Sequence, residues 1–239
     1  MKKKKVLITG ASRGLGLAIA KRIYQEYDLI LHATREDSFT EIPSNSQLLC
    51  ADFSDKEQVA NFCKELKKHG DHLYGIINNA GVTFDKPLTF QPERDIDMML
   101  QINLRTPMLI CKTAMKIFGL NKKGVIINVS SVVGETGNAF QSIYAATKAG
   151  LVAFSKSLAK EAGMLNNDHE IRVLSISPGF LSSDMTDKIP ETEKEKYLRM
   201  IPSQRFGKVE EIAETIAFLL SEKAAYINGS DIKINGGII

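Results

Sequence analysis

Short apolar runs alternate along this chain with longer stretches in which apolar side chains recur every three or four residues. The runs are 6–9 (VLIT), 29–34 (LILHAT), 47–51 (QLLCA), 73–81 (LYGIINNAG), 124–130 (GVIINVS), 171–177 (IRVLSIS) and 231–236 (DIKING), and each predicts a strand. Between them the helical period predicts a helix after the glycine turn at 10–16, one opening at Asp55, a long one over 92–119, one from 143 onward and one over 208–220. Strand and helix alternate throughout, no Pro/Gly/Ser linker interrupts them, and no internal repeat is visible. The pattern predicts one α/β domain spanning 1–239. Residues 182–205 break it: they are polar and charge-rich but carry Met185, Tyr197, Leu198, Met200 and Ile201. This composition suits a lid over a pocket.

Composition narrows the field without deciding it. The chain has 239 residues, 44% hydrophobic and 25% charged, with a formal net charge of +3. Its charges are spread evenly, and no basic stripe interleaved with aromatics points to nucleic acid. Lys2 to Lys5 precede a stretch that Gly, Ser and Arg interrupt before any signal-peptide core forms. No stretch approaches the roughly 18 apolar residues of a membrane span. Cys50, Cys63 and Cys111 have no metal-like spacing and read as reduced thiols of a cytoplasmic protein. His32, His69, His72 and His169 do not cluster as metal ligands and read as surface or loop residues.

The candidate chemistry begins at the first turn. Gly10, Gly14 and Gly16 follow the first strand and open a helix. Gly10 permits the tight turn, Gly14 lets backbone approach a pyrophosphate, and Gly16 lets the helix lie against the sheet. The helix N-terminus offers N–H groups and a positive dipole end to phosphate. The second strand ends at Thr34-Arg35, where NAD-binding folds usually place an acid for the ribose 2′-hydroxyl. Arg35, with Ser12-Arg13 in the glycine loop, favours NADP(H), since guanidinium forks suit a 2′-phosphate. Glu36 and Asp37 follow at once and could reach back toward a ribose. Asp52-Phe53 and Asn79-Ala80-Gly81 sit at further strand ends, where doubly wound sheets bind ligands. Ser54, or Asp52, can also be read as the cap of the next helix.

Pro107 lies inside the long helix and has no N–H to return to the carbonyl of Asn103, so a kink with that carbonyl left free is expected. Tyr144 and Lys148 are four residues apart on one helix face, just after the strand ending at Ser130-Ser131. A free phenol titrates near ~10, and a fixed ammonium beside it pulls that value down. Such pairs also occur in plain packing. Their company along the chain is what points to proton transfer onto a carbonyl held by a serine hydroxyl.

Together these motifs resemble the short-chain dehydrogenase/reductase family over essentially the whole chain. They are TGASRGLG at 9–16, NNAG at 78–81, Asn103, Ser131 thirteen residues before Tyr144 with Lys148 four after it, and Pro178-Gly179. The resemblance implies a Rossmann-type doubly wound fold with a seven-stranded parallel sheet in the order 3-2-1-4-5-6-7. It implies Tyr144 as general acid, Lys148 lowering its pKa and binding the nicotinamide ribose, Ser131 orienting the carbonyl and Asn103 holding a relay water. It places NADPH against Gly10, Ser12, Arg13, Gly14, Leu15, Gly16, Thr34, Arg35, Asp52, Phe53, Asn79, Ala80, Gly81, Tyr144, Lys148, Pro178, Gly179, Leu181 and Ser183. Substrate is placed against Ser131, Gln141 and Tyr144.

Within the family, SSVVGETGN, YAATKAGLVAFSKSLAKE, PGFLSSDMT and INGSDIKINGG resemble the 3-oxoacyl-[acyl-carrier-protein] reductases. That likeness implies reduction of a carrier-bound 3-oxoacyl thioester, an acyl carrier protein as partner, and a homotetramer built on the long helices and the C-terminal strand. The loop at 163–170 departs from it, being longer, more acidic and without a docking arginine. Lys122, Lys123 and Lys160 are left as the positive charge nearby. Two other readings stay open: the same chemistry on a free alcohol, sugar or steroid, and a dinucleotide-binding regulator without catalysis.

Overall fold

A computed structural model of the chain describes residues 3–164, 170–182 and 191–239, without the side chains of 191–193. Each apolar run supplies a strand: β1 (Lys5–Ile8), β2 (Asp28–Leu31), β3 (Ser46–Leu48), β4 (Leu73–Asn78), β5 (Lys123–Val129), β6 (Glu170–Pro178) and β7 (Asp231–Ile234). They pair in parallel in the order β3-β2-β1-β4-β5-β6-β7, the Rossmann-type sheet expected. Most strands stop short of their apolar runs. Thr9, His32–Thr34 and Asn79–Gly81 leave the regular strands at the sheet's C-terminal edge, the edge at which doubly wound sheets bind ligands.

Both faces of the sheet are covered. Val6, Ile8, Leu29, Leu31, Ile127 and Leu174 pack with Ile19 and Ile23 of α1 (Gly14–Ile23) and with Ile212 and Ile216 of α8 (Val209–Leu220). The alternate residues Leu7, Ile30, Ile76, Ile126 and Val173 pack on the other face. There they meet Phe62 of α2 (Lys56–Lys68), Phe118 of α4 (Thr106–Asn121) and Leu158 of α6 (Ser142–Met164). A strand buried on both faces has no polar side to alternate with, which is why the runs read as continuously apolar. Among the described residues no helix is long and apolar enough to cross a membrane.

Three local expectations are corrected. The long helix is divided into α3 (Glu93–Leu100), a π turn over Gln101–Arg105 and α4. The Thr106 N–H reaches the Gln101 carbonyl five residues back. Pro107 cannot donate to Asn103, and the ladder absorbs the missing bond by widening one turn. The cap of α2 is neither Asp52 nor Ser54 but Asp55, whose carboxylate accepts from the Glu57 and Gln58 N–H groups at 2.8 and 3.2 Å. His32 is not a surface residue: it is 3% exposed, stacked on Phe53 at 3.7 Å and met edge-on by Phe62. Aromatic neighbours and two hydrogen-bond partners make burial of the neutral ring affordable. His69 and His72 lie nearer solvent, and His169 is outside the described residues.

Of the expected lid, 183–190 and with them Ser183 are outside the described residues. The remainder includes a further helix, α7 (Glu191–Met200), with Tyr197 packed on Phe180 at 4.6 Å. Ile201, just after it, is 2% exposed.

Candidate active site

The first strand end is tied to the fourth. The Thr9 hydroxyl oxygen accepts from the backbone N–H of Asn79 and Ala80 at 2.9 and 3.0 Å, and the Asn79 amide donates to the carbonyls of Thr9 and Gly10. Gly10 has φ +64, and a Cβ there would lie 2.9 Å from Ala80 Cα. Gly16 is tighter still: a Cβ would sit 2.1 Å from the Gly10 carbonyl oxygen. Gly14, in contrast, has none of the described residues within 4 Å of such an atom, so they leave the loop open on that side. Among the described residues no side chain caps α1, and its first turn carries no acid. A helix N-terminus with open N–H groups and an open glycine beside it fits a dinucleotide pyrophosphate.

The other described residues expected at the cofactor lie along the sheet's C-terminal edge. Ser12, Arg13 and Leu15 lie on the glycine loop, with Arg13 exposed. Thr34 and Arg35 are exposed beyond β2, and Arg35 lies 3.3 Å from Asp37 in a pair where both partners are solvated. Asp37 therefore faces the guanidinium. The Asp52 carboxylate accepts from Ser54 N and Oγ, and Phe53 is buried against His32. Gly179 N–H donates to the Ile234 carbonyl, and the Pro178 carbonyl accepts from Val132, which joins this loop to the Ser131 turn. Leu181 bridges to Gly207.

Lys148 is the centre of the candidate reactive cluster. It is 4% exposed, donates to the Val129 carbonyl at 2.8 Å, and holds its Nζ 5.6 Å from the Tyr144 ring centroid. Among the described residues no acid pairs with it, and burial lowers its pKa to about 8. A Cβ on Gly81 would lie 3.5 Å from this Nζ and 3.4 Å from Asn103 Oδ1, so the end of β4 reaches the cluster.

The two adjacent serines divide the work. Ser130 donates its hydroxyl to the Lys148 carbonyl at 2.9 Å and so fixes α6. Ser131 accepts at 3.2 Å from the N–H of Val133, which opens the short helix α5 (Val133–Thr136), and this leaves the serine proton available beside Tyr144. Burial pushes the Tyr144 phenol above its usual value, the Ser131 hydrogen bond pulls it down, and the Asp85 carboxylate pushes it up. The net direction is opposite to the expected lowering. Desolvation of the phenolate outweighs the help available from a lysine that is itself desolvated.

Asn103 spends its side chain on scaffold. Its Oδ1 accepts from Val82 N–H and its Nδ2 donates to the Val82 carbonyl, each at 2.8 Å, with Thr147 Oγ1 at 3.3 Å. What remains for function is the main chain of the π turn. Gln141 donates to Asp85 at 2.8 Å, and Lys86 N–H donates to the Phe140 carbonyl. These bonds join the loop after β4 to the entrance of α6.

Sequence reasoning missed several supports. Thr9, Ser130, Asp85 and Thr147 act through hydrogen bonds that no linear spacing reveals. Asn128 could have been found, since it is a polar residue inside an apolar run. Its side chain accepts from Asn78 at 2.7 Å and donates to Ser155 at 2.8 Å, tying β4 and β5 to α6 beneath the cluster. The lysines suggested for carrier docking are reduced by one. Lys123 is held between Glu170 and Glu222 at 2.6 and 2.8 Å and has no spare charge for a partner.

Residues 10–239 match the family described as Enoyl-(Acyl carrier protein) reductase. The chain belongs to the short-chain dehydrogenase/reductase family. It is 37% identical over 244 residues to the 3-oxoacyl-[acyl-carrier-protein] reductase FabG of Staphylococcus aureus (strain N315), covering 98% of each chain. It is 34% identical over 238 residues to FabG of Rickettsia bellii (strain RML369-C), covering 98% of this chain and 95% of that one. It is 35% identical over 240 residues to Nodulation protein G of Rhizobium sp. (strain N33), covering 98% and 96%. As a short-chain dehydrogenase/reductase the protein is an oxidoreductase of CH–OH groups that works with a nicotinamide dinucleotide.

Proposed function

We propose that this protein is a cytoplasmic NADPH-dependent reductase of 3-oxoacyl thioesters carried on an acyl carrier protein, and that it works as a homotetramer. The observation that carries the chemistry is the buried Lys148 ammonium, unpaired with any acid among the described residues, between the Val129 carbonyl and the Tyr144 ring beside Ser131. A bound reduced nicotinamide supplies the hydride that the carbonyl carbon accepts. The Ser131 hydroxyl holds the carbonyl oxygen, and the Tyr144 hydroxyl gives that oxygen its proton as the C=O bond becomes C–OH. Lys148 stabilises the phenolate left behind and can return a proton to it, with the buried Asn103 main chain as the proposed holder of a relay water. The carrier-bound substrate is supported by the FabG relatives. Apolar side chains left exposed at Leu100 of α3, and at Tyr226 and Ile239 either side of β7, support the proposed subunit contacts.

The titration of Lys148 sets a pH limit. Burial brings its pKa from the ordinary lysine value down to about 8, so the ammonium is present below about 8 and is lost as pH rises through it. The expected profile of kcat against pH falls on the alkaline side of about 8, and Lys148→Met removes that limb along with most of the activity. A profile level well into the alkaline range would exclude the role.

NADPH is favoured by Arg35 at the end of β2, exposed and held only by a solvated pair worth under about 1 kcal/mol, which a phosphate can displace. Arg35→Ala is expected to raise KM for NADPH about tenfold, the scale of one charged hydrogen bond, and to leave NADH almost unchanged. Equal effects on the two would remove this basis for cofactor choice.

The occupied Lys123 favours one second reading, the same reduction on a free ketone. Loss of the dinucleotide's near-ultraviolet absorbance with acetoacetyl thioesters, beside a panel of free ketones, separates the two. Rapid turnover of the thioester supports the proposal; turnover of free ketones alone keeps the chemistry and discards the carrier.

A further inference from the structure

His32 stands between the two loops that flank the dinucleotide cleft and is bonded to both. Its Nδ1 accepts from the Gly10 N–H at 3.2 Å, and its Nε2 lies 3.0 Å from the Ala51 carbonyl. A carbonyl can only accept and an N–H can only donate, so one ring form satisfies both: neutral, with its proton on Nε2. The ring lies flat on Phe53, at 3.7 Å with 7° between planes, and Phe62 meets it edge-on at 5.2 Å. Burial holds its pKa down to about 4, with the Ala51 carbonyl and the Asp52 carboxylate pulling the other way. The glycine loop carries the open N-terminus of α1, while Asp52 and Phe53 follow Ala51 directly.

We infer that His32 is a positioning residue for the dinucleotide, fixing the spacing between the glycine loop and the turn at 51–53 through its neutral Nε2–H imidazole. The inference rests on the reading of the glycine loop as the dinucleotide site. A phenylalanine would fill the aromatic niche as well, but would leave Gly10 N–H and Ala51 C=O with no side-chain partner. Packing and positioning are therefore separable by substitution.

The test compares His32→Phe, His32→Asn and His32→Gln with the wild type for NADPH and NADH affinity by fluorescence, cofactor KM, kcat and melting temperature. His32→Phe is expected to weaken both dinucleotides about tenfold, the equivalent of two neutral hydrogen bonds, with the loss in cofactor KM and not in kcat. His32→Asn, which restores an acceptor for Gly10, should recover more than His32→Gln at equal melting temperature. On the wild type, nitrogen NMR should show Nε2 protonated and Nδ1 bare at neutral pH. Unchanged affinity in His32→Phe, or losses that track melting temperature alone across the three, would overturn the positioning role. A charged ring at neutral pH would do the same. A wild type that binds neither dinucleotide would instead remove the reading beneath it.

Discussion

Tyr144→Phe is expected to lower kcat about a thousandfold, within the range set by loss of a general acid, while cofactor affinity barely moves. The substitution removes one oxygen and keeps the ring over Lys148, so the niche remains filled. Ser131 loses its phenolic partner, but its oxygen keeps the bond from Val133 N–H. Single-turnover hydride transfer and fluorescence titration of the dinucleotide separate the two quantities. Equal loss of both would mean that Tyr144 holds cofactor and does not transfer a proton. Lys148 should behave differently: its ammonium reaches a main-chain carbonyl at the end of β5, and removing it disturbs both charge and position.

Gly16→Ala is expected to be the most damaging single methyl in the cofactor cleft. The new carbon would fall 2.1 Å from the Gly10 carbonyl oxygen and 2.8 Å from Asn79 Nδ2. Gly10 cannot yield easily, since its N–H is bonded to His32 and its carbonyl to Asn79. Overpacking of this kind costs about 2 kcal/mol, which for a chain of this size is a fall in Tm of roughly 4–8 °C. Dinucleotide affinity should fall further than stability, because the first turn of α1 must move away from Gly10. Gly14→Ala makes the control. For stability alone it has open space and loses only the ease of a left-handed backbone at φ +54, about 1 kcal/mol, while its methyl would enter the space read as the pyrophosphate's. Scanning calorimetry with cofactor titration checks both, and a Gly16→Ala protein as stable and as tight-binding as wild type would show that the loop can open without cost.

The order of strands and helices was readable because both periods are written plainly in the chain. Seven apolar runs became seven parallel strands, and the glycine spacing placed α1 where the turn requires it. The juxtaposition of Tyr144 and Lys148 was readable for a related reason: they lie on one helix, and their spacing alone puts them on one face. What stayed hidden depended on contacts between distant segments. His32 looked like a polar residue at a strand end, and only the approach of Phe53 and Phe62 made a buried niche for it. Lys123 looked available until folding brought Glu170 and Glu222 to either side. The direction of the Tyr144 shift was hidden too, because spacing records which charge is near and not how much water has gone.

The π turn at Gln101–Arg105 has a consequence for how this helix tolerates length changes. A π turn holds one residue more than an α-helix needs for the same rise. Deleting Asn103, the one residue between Ile102 and Leu104, would let α3 and α4 join as an unbroken α-helix with little rotation of one half against the other, because the wide turn already accommodates that residue within a single turn. Asp95, 8% exposed and paired with Lys86 at 3.1 Å, would keep its face. What would go is the side-chain amide that bonds both the N–H and the carbonyl of Val82. The widened turn therefore acts as a slot: it admits one extra residue that reaches the loop after β4, while the two halves of the helix keep the faces they would show without it.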